Sequence, residues 1–196
     1  LKVVGLSTVF GNVALQRATA VARGLLAAMG RYEPGRALPP LYVGRAAALG
    51  KGSGRAPDVS ALAVALEARR LTILALGPVT NIAQLLRQRP HLGVRIEAIV
   101  AVAGQRPGQL FKVGRTPLLH FHDLNVRQDP DAFDVVLRSG VALHLVPFEV
   151  GRQAVVRRAD LSALGRRGRL DRWLGDRSTA WLDFWEDTLG AAGFAP

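Results

Sequence analysis

The sequence predicts an α/β domain: an open, mainly parallel, twisted sheet with helices on both faces. Three observations predict it. Short aliphatic runs alternate with stretches of helical period along most of the chain. Polar segments containing Gly and Asn fall just after the aliphatic runs, where a parallel sheet has its carboxyl ends. The chain has 196 residues, 49% of them apolar, enough for one domain with a sizeable core. No internal repeat and no second domain is visible.

Taken in order, residues 2–8 (KVVGLST) read as a buried strand bounded by Gly11. Asn12 stands where an N-cap should be. Leu15, Ala18, Ala22, Leu25, Leu26 and Met29 fall on one face of a helix over 13–29, which Gly30 should end. A long Gly-, Pro- and Arg-rich loop fills 31–57, with a short strand at 41–43. Asp58 or Ser60 caps a second helix over 59–70, and LTILAL (71–76) is the next strand. GPVTN turns the chain into the helix IAQLLRQR, ended by Pro90 and Gly93, before the strand EAIVAVA (97–103). Asp129 caps a helix with Pro130 at its first position. Phe133, Val136 and Leu137 form its buried stripe and Gly140 stops it. VALHLVP (141–147) is the last strand, and the remainder is helical, with Trp181, Trp185 and Leu189 along one side.

In a parallel sheet the segments STVFGN, GPVTN, AGQRPG with HFHDLNVRQDPDAF, and FEVGRQ converge on one edge. HFHDLNVRQDPDAF (120–133) holds the densest polar cluster. Asp123 and Asn125 are two apart, so an extended backbone would point both to one side. A carboxylate accepts hydrogen bonds and a carboxamide both donates and accepts, a pair suited to a diol. A polar turn before a capped helix is the plainer account of the same residues. His120 and His122 form His-x-His, but no third ligand at convincing spacing supports zinc, and gating of a substrate loop is the better reading of His122. Glu149 sits at a strand end in the right region, or is buried beside an arginine such as Arg152. His91 and His144 read as structural.

Composition narrows the function. The net charge of +11 and pI near 11.5 invite a nucleic-acid reading. The arginines, however, are scattered along the whole chain, and aspartates interrupt their densest stretch, 157–177, which reads as a solvated helical face. No apolar run approaches the roughly 20 residues of a membrane span. The absence of cysteine excludes disulfides, thiolate zinc sites and cysteine nucleophiles. The chain starts at Leu1 without Met, directly in a strand-like run, and reads as an internal fragment, incomplete at both ends.

Four segments carry a resemblance. GLSTVFGNVALQRATAVARGLL, LTILALGPVTNIAQLL, DLNVRQDPDAFDVVLRSG and LHLVPFEVGRQ resemble, in order, strand, turn and helix segments of the inosine–uridine nucleoside hydrolase family. The resemblance covers most of residues 3–153 and implies a Rossmann-like fold and hydrolysis of the N-glycosidic bond of ribonucleosides with a bound Ca2+ ion. It further implies that Asp123 and Asn125 hold ribose hydroxyls, that Asn12 lies near sugar and metal, and that the Leu76 backbone carbonyl ligates the calcium. The family's Asp-rich motif, with most calcium ligands and the catalytic base, precedes the strand at which this chain begins, so the expected Asp base is placed upstream of Leu1. No catalytic residue is therefore assigned within the chain, and the fragment itself is expected to be inactive. The segment GQLFKVGRTPLLHFH is longer than the family's usual loop. The expectation is a cytoplasmic enzyme of nucleoside salvage whose aromatic helix near 180–189 hints at a homo-oligomer. Two alternatives stand beside it: a divergent ribose-binding member without catalysis, and an Arg-rich nucleic-acid-binding domain.

Overall fold

The structure is a computed structural model that describes residues 2–51, 60–108, 111–112, 120–151, 153, 159–160, 163, 169 and 172. Strand β1 (Leu6–Thr8) leads to helix α1 (Leu15–Tyr32), strand β2 (Leu41–Val43) and helix α2 (Ser60–Ala68). Strand β3 (Leu71–Ala75), helix α3 (Thr80–Gln88), a 3₁₀ segment (Pro90–Arg95) and strand β4 (Ile96–Val102) follow. An antiparallel pair, β5 (Phe111–Lys112) with β6 (His120–Phe121), precedes two short helices, α4 (Leu124–Gln128) and α5 (Pro130–Arg138). Strand β7 (Leu143–Val146) and helix α6 (Phe148–Gly151) close the described fold.

The predicted α/β class holds. β1 pairs with β2, and β3, β4 and β7 pair in that order, every one of these ladders parallel. The ladders form two pieces rather than one continuous sheet. Helices lie on both faces, as the alternation along β1 shows. Ser7 Oγ accepts a hydrogen bond from Asn81 of α3, whereas Thr8 Oγ1, on the opposite face, meets Thr19 Oγ1 of α1 at 2.9 Å. The core fills the α3 side of β3 and β4. Ala75, Ile99 and Ala101 are buried there against Ala63 and Leu66 of α2, Ile82, Leu85 and Leu86 of α3, and Phe133 and Val136 of α5.

Several boundaries differ from expectation. The first strand is three residues long instead of seven. Asn12 does not cap α1: the helix starts at Leu15, Ala14 is the N-cap, and no side chain caps it. Gly30 does not stop α1, which continues to Tyr32, because nothing forces Gly30 into the left-handed region. Leu137 is 65% exposed and not part of the buried stripe of α5; Ala132 takes that place. Gly140 does stop the chain, at φ +73° just past the last turn of α5. The β5–β6 pair occupies a segment read from sequence as loop. Leu1, Asp58, Arg152 and the aromatic segment with Trp181, Trp185 and Leu189 lie outside the described residues.

Candidate active site at the carboxyl edge of the sheet

The carboxyl edge is tied together by side chains that replace ladder bonds. Asn81, in the first turn of α3, accepts from the Arg45 N–H at 2.9 Å through Oδ1. Its Nδ2 donates to the Thr8 carbonyl at 3.0 Å and to Ser7 Oγ at 2.8 Å. One carboxamide thus joins the ends of β1 and β2 to the turn after β3. Gly44 makes room for it: a Cβ there would sit 2.2 Å from Asn81 Nδ2 and 2.3 Å from the Thr8 carbonyl. Arg45 then folds the following loop, donating to the carbonyls of Ala47, Ala48 and Lys51.

Asp129 ties three more elements together. Its side chain is 1% exposed. Oδ1 accepts from the Ala132 N–H at 3.1 Å, the N-cap bond expected from the Asp-Pro sequence. Oδ2 accepts from Thr80 Oγ1 at 2.5 Å and from the Leu49 N–H at 2.9 Å. The carboxylate therefore does more than cap α5. It holds the start of α3 and the loop after β2 against the start of α5, and three donors replace the water it has lost.

Between these anchors lies α4. Asp123 is its N-cap, and Oδ1 accepts from the Val126 N–H at 2.8 Å. The expectation of an extended backbone at 123–125 is therefore wrong. Asn125 is in the first turn of a helix, and the capping bond bends the chain there. The two side chains still serve one edge. Asn125 Nδ2 donates to the carbonyl of Val102, the last residue of β4, at 2.8 Å. The Asp123 N–H donates to Gln105 Oε1, just past β4. At the other end of α4, roughly 7 Å away at 1.5 Å per residue, Gln128 Nε2 donates to Asn12 Oδ1 at 3.4 Å. Asn12, remote in sequence from Asp123 and Asn125, thus meets them around one short helix.

Leu76 directly follows β3, which puts its carbonyl at this edge, and its side chain is 79% exposed. Glu149 is not at a strand end; it lies in α6 and is buried, with Oε1 accepting from the Arg106 N–H at 2.8 Å. It braces the turn after β4 against the turn after β7. His122 is exposed immediately before Asp123. Among the described residues no group of three or more His, Cys, Asp or Glu side chains comes together to hold a metal. Among the described residues, Asp123 and Asp129 each cap a helix through Oδ1, and Glu149 braces two turns. Sequence reasoning missed Asn81, Gln105 and Gln128, and gave Asp129 only its local role. GPVTN is legible in the sequence as a segment at this edge, but nothing in it marks the Asn81 side chain as the tie to β1 and β2.

The sequence model of the family described as inosine-uridine preferring nucleoside hydrolase matches residues 1–195. The pyrimidine-specific ribonucleoside hydrolase RihA of Salmonella paratyphi B is 32% identical over 110 residues, covering 56% of this chain and 33% of that protein. Among solved structures, the purine-preferring ribonucleoside hydrolase of Gardnerella vaginalis aligns over 97% of this chain and 66% of its own, with TM-score 0.74 and 21% identity. A plant nucleoside hydrolase, PpNRh1, aligns over 91% of this chain and 62% of its own, with TM-score 0.69 and 24% identity. At these identities the two structures speak for the fold, and the chain spans about a third of RihA in the matched region and under two thirds of either structure. With the family model matched over nearly the whole chain, the protein belongs to the inosine–uridine preferring nucleoside hydrolase family.

Proposed function

We propose that this chain carries the sugar-binding half of an enzyme that hydrolyses the N-glycosidic bond of ribonucleosides. Water adds to the anomeric carbon, the carbon–nitrogen bond breaks, and a proton goes to the departing base nitrogen, giving base and ribose. The observation that carries this reading is α4, which sets Asp123, Asn125 and, through Gln128, Asn12 at the carboxyl edge of a parallel sheet. Asp123 uses Oδ1 for its cap and keeps Oδ2 for a sugar hydroxyl. Glycosidic cleavage passes through an oxocarbenium-like state, which a fixed carboxylate and tight hydroxyl contacts stabilise as charge develops.

Calcium belongs to this proposal for the whole protein. Calcium wants six to eight oxygens. The Leu76 carbonyl is the ligand this chain would bring, and the described residues do not complete the set. None of the residues from Leu1 onward is proposed as the base that activates water. A cytoplasmic setting and a homo-oligomeric state belong to the same proposal. No helix among the described residues is long and apolar enough to cross a membrane.

The test is ribose release from inosine, uridine and adenosine by the whole protein with calcium present, beside ribose binding. Release establishes the hydrolase. Ribose binding without release favours the divergent binding member. The absence of both release and ribose binding overturns the proposal, and salt-sensitive DNA binding in that case selects the nucleic-acid alternative.

A further inference from the structure

Gln128, the last residue of α4, closes the gap between that helix and the turn after β1. Its Nε2 donates to Asn12 Oδ1 at 3.4 Å. Its Oε1 is buried and takes no hydrogen bond among the described residues. Gly11 forms part of its surroundings. A Cβ placed on Gly11 would meet Gln128 Oε1 and the Pro78 ring, each at 3.5 Å. The proline ring offers no donor, and the Gly11 N–H is already committed to the Val13 carbonyl at 3.1 Å.

Chemistry decides which way round this carboxamide sits. One terminus is an acceptor and the other a double donor. An NH2 turned inward would bury two N–H bonds, each of which needs an acceptor. An oxygen turned inward strands one acceptor, the milder loss. The NH2 therefore faces Asn12, and Asn12 must answer with its oxygen. The NH2 of Asn12, an exposed residue, is then left to point away from α4.

We propose that Gln128 is a positioning residue that fixes the polarity of Asn12: by donating to Asn12 Oδ1, it makes Asn12 present a hydrogen-bond donor to an oxygen of the sugar. This deepens the ribose-binding reading and rests on it. It also assigns work to a position that neither periodicity nor resemblance singled out.

Two measurements on the whole protein test it. The first needs no ligand. Side-chain amide resonances of Asn12 and Gln128, assigned by their loss in Asn12→Asp and Gln128→Glu, should show slow exchange for the Gln128 NH2 and fast exchange for the Asn12 NH2. The reverse order, or fast exchange at both, overturns the proposal. The second reads the sugar. Gln128→Met, which keeps the length and loses the donor, should weaken ribose binding about three- to tenfold, the loss of one neutral hydrogen bond. The midpoint of thermal unfolding should stay unmoved. In a nucleoside assay the loss should fall on KM more than on kcat. Gln128→Glu should weaken binding further, because a carboxylate accepts from Asn12 and turns its oxygen outward. Asn12→Ala with Gln128→Met should be no weaker than Asn12→Ala alone. If wild type binds ribose and Gln128→Met binds it equally well, or the two losses add, the positioning role is wrong while the ribose site stands. If wild type binds no ribose, the function proposed above falls, and the exchange measurement still decides whether Gln128 orders Asn12.

Discussion

At the scale of single residues, the site rests on contacts between positions far apart in the chain. Gly44 is the sharpest case, because Asn81 Nδ2 and the Thr8 carbonyl occupy the space a side chain would need. Both are fixed by hydrogen bonds, so neither can give way cheaply. Gly44→Ala should therefore destabilise the protein by about 2–4 kcal/mol in urea unfolding. Gly24→Ala is the matching control. Gly24 lies in the middle of α1 with nothing within 4 Å of its Cβ position, and the same substitution there should stabilise by about 0.5–1 kcal/mol. Equal effects at the two positions would mean that the Asn81 contact is not tight. Asp129 offers a second test. Asp129→Ala strands Thr80 Oγ1 and the N–H groups of Leu49 and Ala132 in a buried place. A loss of about 3 kcal/mol is expected. Asp129→Asn should lose less, since its oxygen still accepts at α5 while its NH2 opposes the Leu49 N–H. Equal loss in the two variants would argue against that division of labour between the two oxygens.

At the scale of elements, two short helices end to end carry the site, and their caps do different work. Asp129 is buried in the core, whereas Asp123 is half-buried and keeps one oxygen free of the cap. Asp123→Asn separates capping from sugar binding, because asparagine caps a helix about as well as aspartate. It should leave unfolding unchanged within a few tenths of a kcal/mol and lower ribose release by the whole protein by one to two orders of magnitude, as for a lost transition-state contact. Asp123→Ala should lose the activity and, in addition, about 0.5–2 kcal/mol of stability. Unchanged activity in Asp123→Asn would return Asp123 to a purely structural role. These two helices also show what the sequence could convey. Asp129-Pro130 announced α5 because its cap bonds reach only three residues ahead. The strands β3, β4 and β7 announced themselves by mostly aliphatic runs, each broken by one polar residue, Thr72, Glu97 and His144. α4 did not: five residues hold too little of a helical period to register, so residues 123–125 read as extended. The second half of Asp129's role was equally hidden. Its partners Thr80 and Leu49 lie 49 and 80 positions away, and nothing in a single sequence links an aspartate to one threonine rather than another. Asn12 misled for the opposite reason, standing where a cap would stand but turning to Gln128 instead.

At the scale of the whole molecule, the α3 face of β3, β4 and β7 is packed, whereas apolar side chains on the other face of these strands stay partly exposed among the described residues. Leu74, at 55% exposure, and Val102, at 37%, alternate with the buried Ala75 and Ala101 on the same strands. The chain's net charge is +11, so its overall field disfavours Ca2+. Locally, the Leu76 carbonyl is one neutral oxygen, and a single carbonyl does not displace the water around a hard divalent ion that needs six to eight ligands. Residues 1–196 expressed by themselves should therefore show no calcium binding in the micromolar range by titration calorimetry. The whole protein should bind the ion, lose ribose release on chelation, and regain it when calcium is restored. The comparison separates two arrangements of the site. Micromolar binding by residues 1–196 would mean that this chain supplies the charged ligands itself. Ribose release that survives chelation in the whole protein would remove calcium from the proposal and leave the Asp123, Asn125 and Asn12 edge as a sugar site that works without a metal.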